Sequence, residues 1–261
     1  METGLRNRVA VVTGGASGIG KATVEMLVEE GALVVTGGRD TAAFDALPAE
    51  VDTVEVDLST PEGCDRLART AVERSGRIDV LINNVGSGVT REGFLQTADG
   101  DWAATFDINF YSMVRLTRAV LPHMVKRGTG SIVNIASEQA RQPDVFLVDY
   151  AAAKAALVSL SKSLSIEFGP HGIRSNVVSP GPTRTQAWDA PGGFADWLAH
   201  EHGLDREAAI EHFATHVRQL PLGRIGRPTD VAAVVVFLAS DLSRQVTGSY
   251  YQVDGGVAKA S

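Results

Sequence analysis

The stretch RVAVVTGGASGIG, residues 8–20, joins a β-branched apolar run to a cluster of glycines. Arg8–Thr13 is typical of a strand buried on both faces, and the segment after the glycines has an apolar stripe at helical spacing. A strand, a glycine turn and a helix together favour phosphate binding, because the backbone can approach the ligand and free N–H groups at the helix start face its charge. The spacing G-x-x-x-G-x-G at Gly14, Gly18 and Gly20 departs from the dinucleotide fingerprint G-x-G-x-x-G.

Strand and helix patterns alternate along most of the remaining chain. Further strands are expected at 32–36, 53–56, 78–82, 131–136, 174–179 and 249–253, and further helices near 61–75, 101–127, 149–168 and 228–240. The alternation predicts an α/β protein with a single-domain Rossmann fold, in which a doubly wound seven-stranded parallel sheet carries helices on both faces. Ligands bind at the carboxyl ends of the strands in this architecture, so the polar and glycine-rich segments that follow the strands are expected along one rim.

Composition and charge limit the classes of function that the chain can have. With 44% apolar residues, the chain can bury one large core over 1–261. A formal charge of -7 without a basic cluster predicts no nucleic-acid or membrane partner, and no apolar run has the length of a membrane span. Cys64 is the only cysteine, which excludes an intrachain disulfide and fits a cytoplasmic location.

Residues 186–226 interrupt the alternation and are long for a bare loop. Their large aromatic residues are Trp188, Phe194, Trp197 and Phe213. The segment is predicted to be an inserted lid whose aromatics cover a ligand, and packing of the same aromatics in a small core is the alternative. His212 and His216 are spaced as a zinc pair on a helix, but zinc needs further ligands, so no metal site is predicted.

Tyr150 and Lys154 lie four residues apart in a predicted helix, so the phenol and the ammonium project from one face. A phenol titrates near pH 10, so proton transfer at neutral pH needs a stabilised phenolate, and a fixed neighbouring cation supplies part of that stabilisation. Ser137 follows the strand at 131–136 and is expected to point into the same space. Together the three groups would surround a small substrate that carries an oxygen atom.

These motifs resemble those of the short-chain dehydrogenase/reductase family, and the likeness covers nearly the whole chain. Thr13–Gly20 is similar to the family's cofactor glycine motif, and residues 83–86, Asn-Asn-Val-Gly, resemble its NNAG segment with Val85 in place of alanine. Residues 180–185 and 253–256 resemble the motifs after the sixth and seventh strands. The family's catalytic tetrad is matched in order and spacing by Asn109, Ser137, Tyr150 and Lys154.

The resemblance implies reversible hydride transfer between a nicotinamide cofactor and a ketone or secondary alcohol. Tyr150 would act as general acid in reduction and as base in oxidation, while Lys154 would lower its pKa and bind the nicotinamide ribose. Ser137 would hold the carbonyl oxygen, and Asn109 would hold a water that relays protons from Lys154 to solvent. The alternative for Asn109 is a polar residue that satisfies backbone groups at a helix irregularity.

The resemblance also places the cofactor contacts on the rim segments. The expected residues are Gly14, Ser17, Gly18, Ile19, Gly20, Gly38, Arg39, Asp57, Leu58, Asn83, Asn84, Gly86, Tyr150, Lys154, Pro180, Gly181, Thr183 and Thr185.

The choice between NADP and NAD depends on the end of the second strand. Gly38 stands where relatives that prefer NAD carry an aspartate for the ribose 2′-hydroxyl, and Arg39 beside it could pair with a 2′-phosphate. NADP(H) is therefore favoured over NAD(H). Ser17 weighs against this preference because many NADP-dependent relatives carry a basic residue there, and Asp40 could turn toward the ribose.

Substrate contacts are expected from the serine loop and the lid, and the candidates are Glu138, Phe146, Trp188 and Trp197. The aromatics favour a largely apolar small molecule, whereas a carrier-protein substrate would need basic residues at the mouth. The resemblance implies that the chain falls in the group that contains 3-oxoacyl-carrier-protein reductases. It also implies a homotetramer or homodimer whose interfaces are built from the helices near 101–127 and 149–168 and from the C-terminal segment. An NAD-dependent alcohol dehydrogenase and a non-catalytic nicotinamide-binding sensor or scaffold are the alternatives.

Overall fold

The computed structural model describes residues 2–258. The domain was expected over 1–261, so Met1 and the end of its C-terminal segment, residues 259–261, lie outside the described residues. The described strands form one parallel sheet of seven, in the order β3-β2-β1-β4-β5-β6-β7. The strands are β1 (Val9–Thr13), β2 (Leu33–Gly38), β3 (Asp52–Glu55), β4 (Val80–Asn83), β5 (Gly130–Ile135), β6 (Ile173–Pro180) and β7 (Tyr250–Val253). The predicted fold class is confirmed.

Helices cover both faces of this sheet. They are α1 (Gly18–Glu29), α2 (Pro61–Ser75), α3 (Asp99–Phe106), α4 (Ser112–Arg127), α5 (Val148–Phe168), α6 (Gln186–Asp189), α7 (Phe194–His202), α8 (Arg206–His212) and α9 (Pro228–Ala239). Alternate strand residues face opposite layers, so Val11 packs with α2, α4 and α5 while Val12 packs with α1 and α9. Each layer buries its own apolar cluster, which explains why the strands read as continuous apolar runs.

The strand order determines where a ligand can bind. β1 and β4 are neighbours at the point where the order reverses, and an open parallel sheet has its ligand crevice at the carboxyl side of such a switch point. The segments after β1, β2, β4, β5 and β6 therefore meet along one rim. None of the described helices has both the length and the apolar character needed to cross a membrane.

The helix expected near 101–127 is divided in two. A π-helical turn at Asp107–Tyr111 separates α3 from α4, and the Ser112 hydroxyl donates to the Ile108 carbonyl at 2.7 Å. A π turn inserts one extra residue per turn and widens the backbone locally. Asn109 lies in this turn and is buried, so the irregularity directs a polar side chain toward the rim.

Residues 186–226 form three short helices, α6 to α8, and a second π-helical turn at Phe213–Val217. The segment has a small apolar core of its own, in which Trp188 and Phe213 pack beside buried Ile210 and Leu220. Because it lies between β6 and α9, it stands over the same edge of the sheet as the rim segments.

Candidate active site

The turn between β1 and α1 leaves backbone and hydroxyl groups available to a ligand. Gly14 and Gly18 have φ of 64° and 51°, values that favour glycine. A Cβ on Gly20 would lie 2.2 Å from the Gly14 carbonyl oxygen, so only glycine allows the two segments to approach this closely. Ser17 is the exposed N-cap of α1 and makes no side-chain capping bond. Ile19 packs partly against the core and anchors the first helical turn.

Asn84 ties the segment after β4 to this turn. Its side-chain amide donates to the carbonyl oxygens of Thr13 and Gly14 at 2.8 and 3.2 Å. The Thr13 hydroxyl in turn accepts from the backbone N–H groups of Asn84 and Val85, both at 2.8 Å. These bonds hold the two rim segments in register at the switch point.

Two of the expected cofactor residues have side chains directed into the core instead. Asn83 is buried and donates to Thr117 Oγ1 at 3.1 Å and Asn134 Oδ1 at 2.8 Å. Leu58 is 2% exposed and belongs to the large apolar cluster. Both side chains therefore stabilise the sheet, and only the backbone of these residues is available at the rim.

The segment after β6 packs against the glycine turn. The Thr185 methyl group would be 3.1 Å from a Cβ on Gly18, so these two residues touch. Gly181 donates from its backbone to Val253 at 3.1 Å, and a Cβ there would lie 2.7 Å from Asp254 Cα. The Thr183 hydroxyl donates to the Gly181 carbonyl at 2.9 Å and shapes the turn that follows Pro180.

Two of the predicted tetrad residues, Asn109 and Lys154, meet at Gly86, and Tyr150 lies beside Gly88. A Cβ on Gly86 would be 2.7 Å from Asn109 Oδ1 and 3.0 Å from Lys154 Nζ. Lys154 Nζ donates to the Ile135 carbonyl at 2.9 Å and lies 5.6 Å from the centre of the Tyr150 ring. The Ser137 hydroxyl lies near enough to the Tyr150 phenol to lower the pKa of the phenol. The arrangement puts two hydroxyl groups, an ammonium and an amide around one space.

Asn109 is bonded to backbone groups. Its amide nitrogen donates to the carbonyl oxygens of Ser87 and Thr105 at 2.8 and 3.0 Å, and its oxygen accepts from the Ser87 N–H at 3.1 Å. These bonds hold the loop after β4 against the π-helical turn. They correspond to the structural alternative for Asn109, and they place it beside Lys154 as well.

The pKa of Tyr150 is raised, which is opposite to the expected direction. Burial is the main cause, the hydrogen bond with Ser137 opposes it, and the Glu138 carboxylate adds to the increase. Burial also lowers the pKa of Lys154 to about 8, because the ammonium has left water without a carboxylate partner to offset the loss. The phenol is therefore protonated at neutral pH in the protein alone.

Asp149, immediately before Tyr150, was not identified from the sequence. Its buried carboxylate accepts from Arg91 Nε and Nη2 at 3.1 and 2.9 Å, from the Thr105 hydroxyl at 2.7 Å and from the Tyr150 N–H at 2.9 Å. Burial alone would raise the pKa of Asp149, but the hydrogen bonds from Thr105, Arg91 and Tyr150 together lower it. The only sequence signal is an acid in the first turn of the helix that contains Tyr150.

The far end of the rim holds a cleft of about 490 Å³ beside Arg39 and Asp57. Gly38 has open space around it, since no atom would lie within 4 Å of a Cβ there. Hydrogen bonds from Ser59 are the main reason that the pKa of Asp57 is lowered, and the charge of Arg39 adds a little. Asp40 accepts from the Ala43 N–H at 3.2 Å, so its carboxylate already caps a short turn.

The lid aromatics pack on one another. Ring centres of Trp188 and Phe194 are 4.8 Å apart, and Phe194 stacks on Trp197 at 5.4 Å. Trp197 and Phe146 are each 53% exposed. The contacts among Trp188, Phe194 and Trp197 correspond to the alternative in which the lid aromatics pack in a small core. Glu138 is the substrate candidate buried near Tyr150, and its carboxylate pairs with Arg218 from the lid.

The lid histidines contact each other. His212 lies 4.7 Å from both His202 and His216, measured between ring centres. Within residues 2–258, no group of three or more histidine, cysteine or acidic side chains is arranged to hold a metal ion.

Replacing Thr105 by valine tests the Asp149 cluster. Valine keeps the shape but removes the hydroxyl that donates to the buried carboxylate. We expect Thr105→Val to lower the free energy of unfolding by about 2 kcal/mol, because a lost bond to a buried charge leaves that charge less well satisfied. Urea unfolding measures this. Thr105→Ser retains the hydroxyl and is the matched control, so equal losses in both variants would contradict the account.

Burial of the Lys154 ammonium lowers the free energy of unfolding by an amount that depends on pH. A shift of its pKa from 10.5 to about 8 corresponds to about 3 kcal/mol. The hydrogen bond to Ile135 offsets about 1 kcal/mol of this. We therefore expect Lys154→Met to raise the free energy of unfolding by about 2 kcal/mol near pH 7 in protein without bound nucleotide.

The sign of this effect follows from proton linkage. Below about pH 8 the lysine is charged in both the folded and the unfolded state, so the folded state bears the full cost of burying the ammonium. Between about pH 8 and pH 10.5 only the unfolded state keeps the proton, so the free energy of unfolding of the wild type rises with pH. The advantage of Lys154→Met should shrink over that range in denaturant titrations. An advantage that grows with pH would contradict the buried ammonium.

The chain is similar to known proteins over nearly its whole length. The family model described as Enoyl-(Acyl carrier protein) reductase matches residues 14–258. The 3-oxoacyl-[acyl-carrier-protein] reductase FabG of Thermotoga maritima is 34% identical over 97% of this chain and 98% of its own. The short-chain reductase protein NovJ of Streptomyces niveus is 36% identical over 95% and 93% of the two chains.

A solved structure extends the comparison. L-Sorbose reductase from Gluconobacter frateurii, complexed with NADPH and L-sorbose, superposes with a TM-score of 0.92 at 33% identity, and the match covers 100% of each chain. Such similarity over full length, together with the strand order and the rim motifs, confirms the resemblance seen in the sequence. The chain belongs to the short-chain dehydrogenase/reductase family and is a nicotinamide-dependent oxidoreductase that acts on CH–OH and C=O groups.

Proposed function

We propose that the chain reduces ketones, and oxidises the corresponding secondary alcohols, where Ser137, Tyr150, Lys154 and Asn109 meet. The observation that carries this proposal is the buried Tyr150 phenol beside the Lys154 ammonium, whose nitrogen lies 5.6 Å from the centre of the tyrosine ring, with the Ser137 hydroxyl near enough to lower the pKa of the phenol. Two adjacent hydroxyls can both donate to one carbonyl oxygen and stabilise the charge that builds on it. When bound, the nicotinamide supplies or accepts the hydride.

Tyr150 is the general acid for reduction. Its raised pKa keeps the phenol protonated at neutral pH, so the proton is present when the carbonyl oxygen becomes basic. Ser137 stabilises the phenolate that remains, because its hydrogen bond lowers the tyrosine pKa. In oxidation the same phenolate takes the proton from the alcohol.

Lys154 and Asn109 support that proton transfer. Lys154 lies beside Gly86 with its ammonium free of carboxylate partners, so it can bond a ribose hydroxyl at the rim and favour the phenolate. Asn109 keeps the π-helical turn open next to this ammonium, which leaves space for a water that leads to solvent. The Asp149 cluster holds the start of α5 and thereby the position of Tyr150.

The residues at the rim fit a dinucleotide. The glycine turn has backbone close to the helix start and an uncapped Ser17 hydroxyl, which suits a pyrophosphate. We assign the cofactor contacts to Gly14, Ser17, Gly18, Ile19, Gly20, Gly38, Arg39, Asp57, Asn84, Gly86, Tyr150, Lys154, Pro180, Gly181, Thr183 and Thr185, with backbone contacts from Leu58 and Asn83.

The preferred cofactor is NADP(H). Gly38 brings no carboxylate to the end of β2, Arg39 is exposed at the adjoining cleft, and Asp40 is engaged in its own turn. A guanidinium at this place attracts a 2′-phosphate. The NADPH complex of L-sorbose reductase, a relative that matches the whole chain, supports the same preference.

Gly38→Asp tests this preference. The open space accepts the side chain, and its carboxylate would repel a 2′-phosphate while accepting from a 2′-hydroxyl. We expect the Kd for NADPH to rise at least about tenfold and the Kd for NADH to fall, measured by nucleotide fluorescence titration. Gly38→Asn has the same shape without the charge and should change NADPH binding much less. Equal weakening by both variants would contradict the role given to charge.

The substrate is a small molecule rather than a carrier-bound chain. An acidic carrier protein would need unpaired basic residues at the mouth, yet the arginines of the lid are paired with acids: Arg206 with Asp196, Arg218 with Glu138, and Arg224 with Asp230. Arg184, just before the lid, is paired with Asp189 and Glu207. The FabG relative acts on carrier-bound groups, whereas the L-sorbose reductase relative acts on a free sugar.

Tyr150→Phe tests the chemistry. We expect the variant still to bind NADPH through its remaining contacts, with kcat for ketone reduction lower by about a thousandfold, because the proton donor is lost. The exposed Tyr111 offers the control Tyr111→Phe, whose activity should match the wild type. Undiminished turnover in Tyr150→Phe would refute the proposal. Tight NADPH binding by a wild type that turns over no ketone or alcohol would favour the sensor alternative.

The chain is proposed to associate through the helices at α3 to α5. Aromatic rings continue along this surface, with Phe94, Trp102 and Phe106 in sequence at 6.3 Å spacing. Phe94 and Tyr111 are 67% and 44% exposed, and an apolar surface of this kind marks an interface. Light scattering is expected to find a dimer or tetramer, and a stable monomer at micromolar concentration would oppose this.

A further inference from the structure

The Glu138 side chain connects the serine loop to the lid. Glu138 follows Ser137 in the chain, and its backbone is fixed because its carbonyl accepts from the N–H groups of Arg141 and Gln142 at 3.0 and 2.9 Å. Oε1 of its carboxylate pairs with Nη2 of Arg218, which comes directly after the π-helical turn at Phe213–Val217. The side chains of Glu138 and Arg218 are only 7% and 20% exposed.

Each partner of this pair keeps one buried atom unsatisfied. Among the described residues, neither Oε2 of Glu138 nor Nε of Arg218 has a hydrogen-bond partner. Burial raises the pKa of Glu138 to about 7, and the charge of Arg218 opposes that rise. In the ionised pair Oε2 is an acceptor and Nε is a donor, so the pair offers one of each. Buried polar atoms without partners are rare in native proteins, and a ligand is one of the groups that can satisfy them.

The charge of Glu138 reaches the reacting groups. Its carboxylate raises the pKa of Tyr150, which places it within electrostatic range of the phenol. Ser137, whose hydroxyl lowers the pKa of Tyr150, is its neighbour in the chain. A group held by the pair would therefore lie close to the carbonyl that Tyr150 protonates.

The unsatisfied atoms define the chemistry of that group. A hydroxyl can donate to Oε2 and accept from Nε at once. A carboxylate would be repelled by Glu138, an ammonium offers no acceptor to Nε, and an alkyl group leaves both atoms unpaired. The pair is neutral as a whole, which suits an uncharged substrate.

We infer that Glu138 and Arg218 form a recognition site for a hydroxyl of the substrate, so the chain acts on neutral hydroxyketones and the matching polyols. This inference rests on the proposed function, because it supposes that the carbonyl lies at Tyr150. It replaces the expectation of a largely apolar substrate, since the lid aromatics on which that expectation depended pack on one another. Arg218 then brings a polar group of the lid to the substrate hydroxyl.

Two isosteric ketones test the site. Dihydroxyacetone and 3-pentanone differ only by hydroxyl groups in place of methyl groups. We expect wild-type kcat/KM with NADPH to favour dihydroxyacetone by on the order of a hundredfold or more, because a site built for hydrogen bonds rejects an analogue that lacks them. A ratio near one, or a preference for 3-pentanone or for the anion acetoacetate, would overturn the inference.

The double variant Glu138→Leu, Arg218→Met removes the pair without leaving a buried charge alone. We expect the ratio between the two ketones to fall to near one, and NADPH titration with thermal melting confirms that the variant is folded. Glu138→Gln keeps the shape and a weaker acceptor, so its ratio should lie between the two. Arg224→Met, at an exposed lid arginine, is the control and should keep the wild-type ratio. An unchanged ratio in the double variant contradicts the inference.

A binding measurement separates this inference from the proposed function. Tyr150→Phe protein saturated with NADPH is titrated calorimetrically with dihydroxyacetone and with 3-pentanone. Preferential binding of dihydroxyacetone that disappears in the Glu138→Leu, Arg218→Met background supports the hydroxyl site even where the wild type fails to reduce either ketone. Equal binding of the two ketones refutes the site even where the wild type reduces both.

Discussion

Four hydrogen bonds converge on one buried carboxylate, that of Asp149, and the geometry of the candidate active site depends on them. They join the loop after β4 through Arg91, the helix α3 through Thr105 and the first turn of α5 through the Tyr150 N–H. Thr105 also offers its carbonyl to Asn109, so one network holds both the phenol and the π-helical turn. A buried carboxylate is tolerated only when its oxygens are satisfied, so these elements cannot shift independently of one another.

The Asp149 network fixes the part of the rim that holds the tetrad. The part of the rim next to β1 and β4 is held instead by backbone segments that approach each other closely. Thr13 and Asn84 hold the segments after β1 and β4 together, and Gly20 allows the helix start to lie against Gly14. Backbone geometry thus determines the shape of the proposed dinucleotide site around Gly14–Gly20. Buried polar side chains determine the positions of Tyr150, Lys154 and Asn109. The raised tyrosine pKa and lowered lysine pKa are the electrostatic consequence, because both groups have lost water before any ligand arrives.

Local sequence patterns were sufficient for the fold, because apolar runs broken by glycine located the strands. The i, i+4 spacing of Tyr150 and Lys154 indicated where to look for a site, and the tetrad itself was predicted from the resemblance to the family. Asn83 and Leu58 were predicted as cofactor contacts, and the sequence did not indicate that their side chains lie in the core, because the face that a residue near a strand end presents depends on its neighbours across the sheet. The ion pairs of Asp149 and Glu138 join positions 58 and 80 residues apart, a separation at which no local pattern indicates a contact.

The central claim is that hydride reaches a carbonyl carbon while Tyr150 protonates its oxygen. The most direct measurement uses NADPH deuterated at the transferred position, with mass spectrometry of the alcohols formed from a panel of hydroxylated and apolar ketones. The account predicts alcohol that carries one deuterium at the carbinol carbon from wild-type protein, and almost none from Tyr150→Phe protein with the same bound nucleotide. Unlabelled alcohol, or equal labelled product from both proteins, would contradict it.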